Sequence, residues 1–220
     1  INRINFMHTF LKNIAFAIIV LIVVPLKYVV AQPIEDFNKT PTLKWRFSTH
    51  LPFYSSPMVN NNLVYIGGLD STLHIIDLNK GNEVGSIKTG GEIRSNICFD
   101  NNNFYLNGGD GCLYSFNIDS KKLNWKFVAE GEKKYDFADY FHSTPVLSDG
   151  IIYCGFGDGI MYAVNSNDGK LIWSFKSEDI IHNTPAISNN KIFFGSFDGY
   201  IYALKITTGE FLWRYKTNGH

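Results

Sequence analysis

Apolar residues in this chain come in short runs set off by glycine-containing turns, with no apolar 3.6-residue rhythm after residue 31. Residues 143 to 175 show the pattern in full. "STPVLS", "IIYCGF", "IMYAVN" and "KLIWSF" are rich in β-branched and aromatic residues, and the turn signals "DG", "GDG" and "SNDG" separate them. Several of the runs are apolar at successive positions instead of alternating, which predicts strands buried on both faces. Four such strands with these turns form a small antiparallel sheet.

The pattern then repeats. "GGLDSTLHIID" (67 to 77), "NGGDGCLYSFN" (107 to 117), "GFGDGIMYAVN" (155 to 165) and "GSFDGYIYALK" (195 to 205) superimpose on Asp70, Asp110, Asp158 and Asp198, at spacings of 40, 48 and 40. Five residues before each aspartate stand Tyr65, Tyr105, Tyr153 and Phe193, and fifteen after it Gly85, Trp125, Trp173 and Trp213. A period of about 40 residues carrying four strands is the signature of a β-propeller blade. The expected fold is all-β, with four blades at 55–89, 93–128, 143–177 and 183–217. "LKWRF" at 43–47 matches a blade's outer strand, with Trp45 lying 25 residues before Asp70 as Trp173 lies before Asp198. Its three inner strands are missing, so the reading is an incomplete arc with an unpaired extra strand, the N-terminal part of a longer propeller. A four-bladed ring with a spare strand is the alternative.

The repeat also decides how its glycines are read. Gly155 and Gly157 begin like a dinucleotide-binding fingerprint, but Ile160 stands where the third glycine belongs. Within the repeat, glycine permits positive φ and aspartate bonds the backbone two residues on, so Asp70, Asp110, Asp158 and Asp198 are structural turn residues. Trp45, Trp125, Trp173 and Trp213 are expected to dock each blade on the next. Gly85 breaks that series, and the first blade is therefore expected to be the most weakly docked.

Residues 1–31 differ from the rest. "IAFAIIVLIVVPL" at 14–26 is wholly apolar and is followed by small residues at Val29 and Ala31, the layout of a secretory signal peptide. Thirteen apolar residues fall short of the roughly 20 that span a bilayer, although extending the stretch through Val30 makes an N-terminal anchor the alternative. Export to the periplasm or the extracellular space follows, with membrane contact only through this segment. Twenty basic residues balance twenty acidic ones without a basic cluster, which argues against nucleic acid as a partner. Three cysteines do not make a disulfide framework. Cys98 and Cys112 fall on non-adjacent strands of one blade and Cys154 in another, so free thiols are expected.

"MYAVNSNDGKLIW" and "IYALKITTGEFLW" resemble the repeat of the pyrroloquinoline-quinone-like (PQQ-like) propellers, and the resemblance extends over residues 42 to 217. The superfamily includes quinoprotein alcohol dehydrogenases and a non-catalytic outer-membrane assembly lipoprotein, BamB. The resemblance implies seven or eight blades in the complete protein. The Trp-Asp and Gly-His signatures of the WD40 repeat are absent. Catalytic members carry adjacent cysteines over the cofactor; this sequence has no adjacent pair and no C-x-x-C-H haem motif. It also lacks a lipobox cysteine near residue 32, unlike the assembly lipoprotein.

Two features exceed what the repeat requires. The loop between the second and third units, residues 128 to 143, is eight residues longer than its equivalents and carries Tyr135, Asp136, Phe137, Asp139, Tyr140 and Phe141, a candidate interaction surface. Sixteen residues before the four aspartates stand Tyr54, Arg94, His142 and His182, expected at the mouth of the central channel, where they would hold a small polar or acidic ligand. Two histidines alone do not define a metal site, and no metal or cofactor is predicted. The functional expectation is an exported, non-enzymatic propeller that binds a protein or a small polar ligand, a role of the kind found in envelope assembly. The alternative is the N-terminal fragment of a PQQ-dependent dehydrogenase.

Overall fold

The computed structural model describes residues 42–131 and 141–218. The signal-peptide reading of residues 1–31, and Tyr135, Asp136, Phe137, Asp139 and Tyr140 of the long loop, lie outside the described residues. From Lys44 onward the chain forms one compact unit.

Sixteen strands make four sheets. The first contains β1 (Met58–Asn60), β2 (Leu63–Gly67), β3 (Thr72–Asp77) and β4 (Glu83–Lys88). The second contains β5 (Cys98–Phe99), β6 (Asn103–Gly108), β7 (Cys112–Asn117) and β8 (Leu123–Val128). The third contains β9 (Val146–Ser148), β10 (Ile151–Gly155), β11 (Ile160–Asn165) and β12 (Leu171–Lys176), and the fourth β13 (Ala186–Ser188), β14 (Lys191–Gly195), β15 (Tyr200–Lys205) and β16 (Phe211–Lys216). Each sheet is antiparallel with its strands in chain order, and no strand pairs across sheets among the described residues. This is an all-β propeller arc that does not close. No helix occurs among the described residues.

The pattern of successive apolar residues is explained by burial. The third strands of the first three sheets are buried at five consecutive positions because both faces are covered, by a blade on each side in the second and third sheets, and in the first by the second blade on one face and by Phe47 and Phe53 over His74 on the other. Each apolar cluster joins two blades: Tyr65, Leu73 and Ile75 pack with Phe104, Leu106 and Tyr114; Tyr105 and Leu113 with Ile152 and Tyr162; Tyr153 and Met161 with Ile192 and Tyr202. All four sheets carry a register shift at the same place, Ile75/Ile76, Ser115/Phe116, Ala163/Val164 and Ala203/Leu204. It sets Trp125, Trp173 and Trp213 opposite Ser115, Ala163 and Ala203.

Trp45, Trp125 and Trp173 dock forward in one way. Their Nε1–H groups donate to the Leu78, Ser166 and Ile206 carbonyls of the following blade at 2.8, 3.0 and 2.9 Å. Their rings lie on Gly81, Gly169 and Gly209, where an added Cβ would stand 2.4 to 2.8 Å from the indole. Trp213 packs on Phe193 of its own blade at 5.9 Å, as Trp125 and Trp173 pack on Tyr105 and Tyr153, and with no following blade among the described residues it is 43% exposed against 8% for Trp173.

At Gly85, where weak docking is expected, the junction is packed in another way. The glycine that receives the indole is replaced in the second blade by Lys121, with φ of +59°. Lys121 Nζ donates to the Ile118 carbonyl, the counterpart of Leu78, Ser166 and Ile206, and to Tyr65 Oη at 2.8 Å. It sits 5.1 Å from the Tyr65 ring centre, on the aromatic that a tryptophan covers elsewhere. Phe99 and Phe104 complete the cover at 5.1 and 5.6 Å. Lysine reaching back replaces tryptophan reaching forward.

The segment "LKWRF" makes the forward docking contact of an outer strand but belongs to no sheet among the described residues. Beyond the Trp45 contact, Lys44 Nζ donates to Asn79 Oδ1 at 3.1 Å. Just after it, Thr49 Oγ1 donates to the Leu51 carbonyl, as Thr89 does to Gly91 and Ser177 to Asp179 after β4 and β12.

Candidate functional site

The turn aspartates do more than close their turns. Asp70, Asp158 and Asp198 each accept through Oδ1 from the N–H two residues on, at 2.9 to 3.0 Å. Gly111, Gly159, Gly199 and also Ser71 follow the aspartates with φ of +61° to +82°. The second oxygen meets the aromatic four residues on. Tyr114, Tyr162 and Tyr202 hydroxyls donate to Asp110, Asp158 and Asp198 Oδ2 at 2.5 to 2.6 Å, and His74 Nε2 lies 3.2 Å from Asp70 Oδ2.

These pairs then bind the preceding blade. Glu130 N donates to both Asp158 Oδ2 (3.2 Å) and Tyr162 Oη (3.1 Å), Glu178 N to Asp198 Oδ2 (3.2 Å), and Gly90 N to Tyr114 Oη (3.1 Å). The residue four after the aspartate is visible in the repeat, but its role is read only once two blades are in contact. Burial first, and then the bond to the carboxylate, push Tyr114, Tyr162 and Tyr202 upward, so all three remain neutral donors at physiological pH.

The first blade lacks this latch. His74 Nδ1 also meets Glu83 Oε1 at 2.7 Å, with Phe47 and Phe53 packed on its ring. Beside Asp70, Ser48, Thr49, His50 and Leu51 enclose with it a cavity of about 390 Å³.

The predicted channel residues meet in two pairs across blade junctions. Arg94 stands 5.3 Å over the Tyr54 ring, with its Nε 3.6 Å from Glu92 Oε1. His142 and His182 have ring centres 4.9 Å apart, and Phe197 closes edge-on over His182 at 5.9 Å. The two histidines are 3% and 5% exposed, so they sit between blades and not on an open rim. Among the described residues no three His, Cys, Asp or Glu side chains gather to hold a metal ion. Arg94 is engaged by Glu92 and Tyr54, and the imidazoles of His142 and His182 pack on each other.

Two positions beyond, a second set forms a chain. Ser56 N donates to Asn96 Oδ1 (2.6 Å), Asn96 N to Thr144 Oγ1 (3.1 Å) and Thr144 N to Thr184 Oγ1 (3.2 Å), each blade held by the same residue of the next. The sequence signal for it is a column of Ser, Asn, Thr and Thr, all with side-chain acceptors. Cys98, Cys112 and Cys154 form no disulfide among the described residues. Burial, then the neighbouring Asp110, push the Cys112 thiol up to about 11, which marks it as an unreactive packing residue.

Once these polar residues are accounted for, one described residue of the predicted interaction surface remains. Phe141, at the end of the long loop, is 63% exposed.

A family model described as "Outer membrane protein assembly factor BamB" matches residues 136–220. Among solved structures, BamB from Moraxella catarrhalis is similar with a TM-score of 0.69 and 14% identity, over 80% of this chain and 56% of that one. Quinohemoprotein alcohol dehydrogenase from Comamonas testosteroni gives 0.64 and 15%, over 76% and 35%. The computationally designed Ika4 protein gives 0.62 and 16%, over 76% and 99%. The chain thus spans about half the length of the BamB structure. Among curated proteins none matches the sequence.

Proposed function

We propose that this chain, which carries the repeat of the PQQ-like β-propeller family, is part of an exported, non-enzymatic scaffold that binds a protein partner on the face bearing the aspartate turns. The observation that carries the reading is the exposure of Phe141 at the end of the enlarged aromatic loop, while its counterparts Ile93 and Ile181 are fully buried. A large apolar side chain held in solvent is informative where two other copies of the position are fully buried and the third, Phe53, is partly buried. The polar residues shared by the repeat support the same reading, because their hydrogen bonds hold blade to blade. Export rests on the apolar run at 14–26, and a place in envelope assembly rests on the likeness of residues 136–220 to the BamB family.

The alternative, a dehydrogenase fragment, is separated by titrating the full-length protein with pyrroloquinoline quinone and calcium. Quinone absorbance and alcohol-dependent dye reduction are followed together. The scaffold reading expects neither saturable quinone binding nor turnover. Quinone-dependent turnover would replace it with the dehydrogenase reading.

A further inference from the structure

The second strands of the first and third blades end in Gly67 and Gly155, three residues before the turn aspartate. Neither has room for a side chain. A Cβ at Gly67 would stand 2.3 Å from Ile93 Cγ2, and one at Gly155 would stand 2.2 Å from Ile181 Cγ2. Ile93 and Ile181 plug the lead-in segment of the next blade into the sheet before it, with their N–H groups donating to the Gly68 and Phe156 carbonyls at 3.0 and 3.1 Å. The glycine is the floor of a socket.

In the second blade that floor is Asn107, 1% exposed. Its Nδ2 donates to the Gly155 carbonyl at 3.3 Å and the Ser143 carbonyl at 3.4 Å, and lies 3.4 Å from Cys154 Sγ, so the side chain reaches across the junction into the third blade. The residue whose register assigns it to this socket is Phe141, seventeen before Asp158 as Ile93 is before Asp110 and Ile181 before Asp198. Phe141 is outside, and the eight extra loop residues immediately precede it. Asn107 Oδ1 is meanwhile buried with no hydrogen-bond partner among the described residues, a cost that glycine would not carry.

We infer that Asn107 is a positioning residue for the interaction face: by filling the socket from within, it commits the Phe141 ring to solvent. The inference rests on the proposed role of that face. The test reads ring exposure without any partner, so its result is separate from that of the binding reading. 4-Fluorophenylalanine is placed at position 141 of the full-length protein, and its fluorine relaxation enhancement by a soluble nitroxide is measured. Asn107→Gly, which reopens the socket, is expected to cut the enhancement several-fold as the ring moves in. Asn107→Leu, which fills the socket without the amide bonds, is expected to leave it at the wild-type level. If Asn107→Gly does not fold, the converse variant Gly155→Asn is expected to expel Ile181 and abolish the hydrogen-exchange protection of its N–H. An unchanged enhancement in Asn107→Gly, or an Ile181 N–H still protected in Gly155→Asn, overturns the inference.

Discussion

At the residue scale, the turn aspartate is a two-sided device. One carboxylate oxygen shapes its own turn, and the other, with the tyrosine four residues on, holds the backbone of the preceding blade. The first half was legible in the sequence because it is local: Asp-Gly followed by a β-run has a defined hydrogen-bond geometry wherever it occurs. The second half was not, because the donors at Glu130 and Glu178 are backbone groups that any residue supplies, and only the docked blades reveal what they reach. Asp158, 8% exposed, allows a direct test. Asp158→Ala removes the acceptor for Ile160 N, Glu130 N and the Tyr162 hydroxyl, and is expected to cost about 2–4 kcal/mol in chemical denaturation. Asp158→Asn, which keeps an oxygen for the turn, is expected to lose less. Equal losses in the two variants would place the stabilisation in the contacts of the second oxygen alone, with none in the turn.

At the element scale, blades dock by a rule with one instructive exception. Tryptophan on one outer strand, glycine and a carbonyl on the next blade form a unit, and where Gly85 removes the tryptophan, Lys121 replaces the receiving glycine and serves the same carbonyl. Gly85 stood out in the sequence as a break in the tryptophan column, but the compensation lay 36 residues away and depended on which strand faces which. The consequence is energetic coupling. Gly85→Trp alone forces an indole onto Lys121, and Lys121→Gly alone strips the donor from the Ile118 carbonyl and Tyr65, so each is expected to cost about 1–3 kcal/mol. The double variant rebuilds the junction found at Trp125 and Trp173, and its stability is expected to return near the wild type. Strictly additive losses would show that the two positions are independent. Asn107 follows the same logic: its departure from glycine was visible in the repeat, but that it displaces Phe141 required the packing of two blades.

At the scale of the whole molecule, the four blades form an arc whose repeat-wide polar residues face one another. Its last blade presents Ile201, Trp213 and Tyr215 at 39%, 43% and 64% exposure, on the side that the third blade buries against the fourth. The blade count, the turn chemistry and the arc were legible because a period of 40 residues records them several times over. The proposed interaction surface stands out in the sequence only as an insertion, since a loop outside the repeat has no second copy to align with. What the structure adds is the exposed ring of Phe141 and the side chain that keeps it there. The most direct test of the scaffold reading is site-specific photo-crosslinking in cells producing the full-length protein, with the probe at position 141, at Leu171 on the outer rim, and at 141 in an Asn107→Gly background. The account predicts a defined protein adduct from position 141, little from 171, and a marked loss of the 141 adduct in Asn107→Gly. No adduct from 141, or equal adducts from 141 and 171, would contradict it.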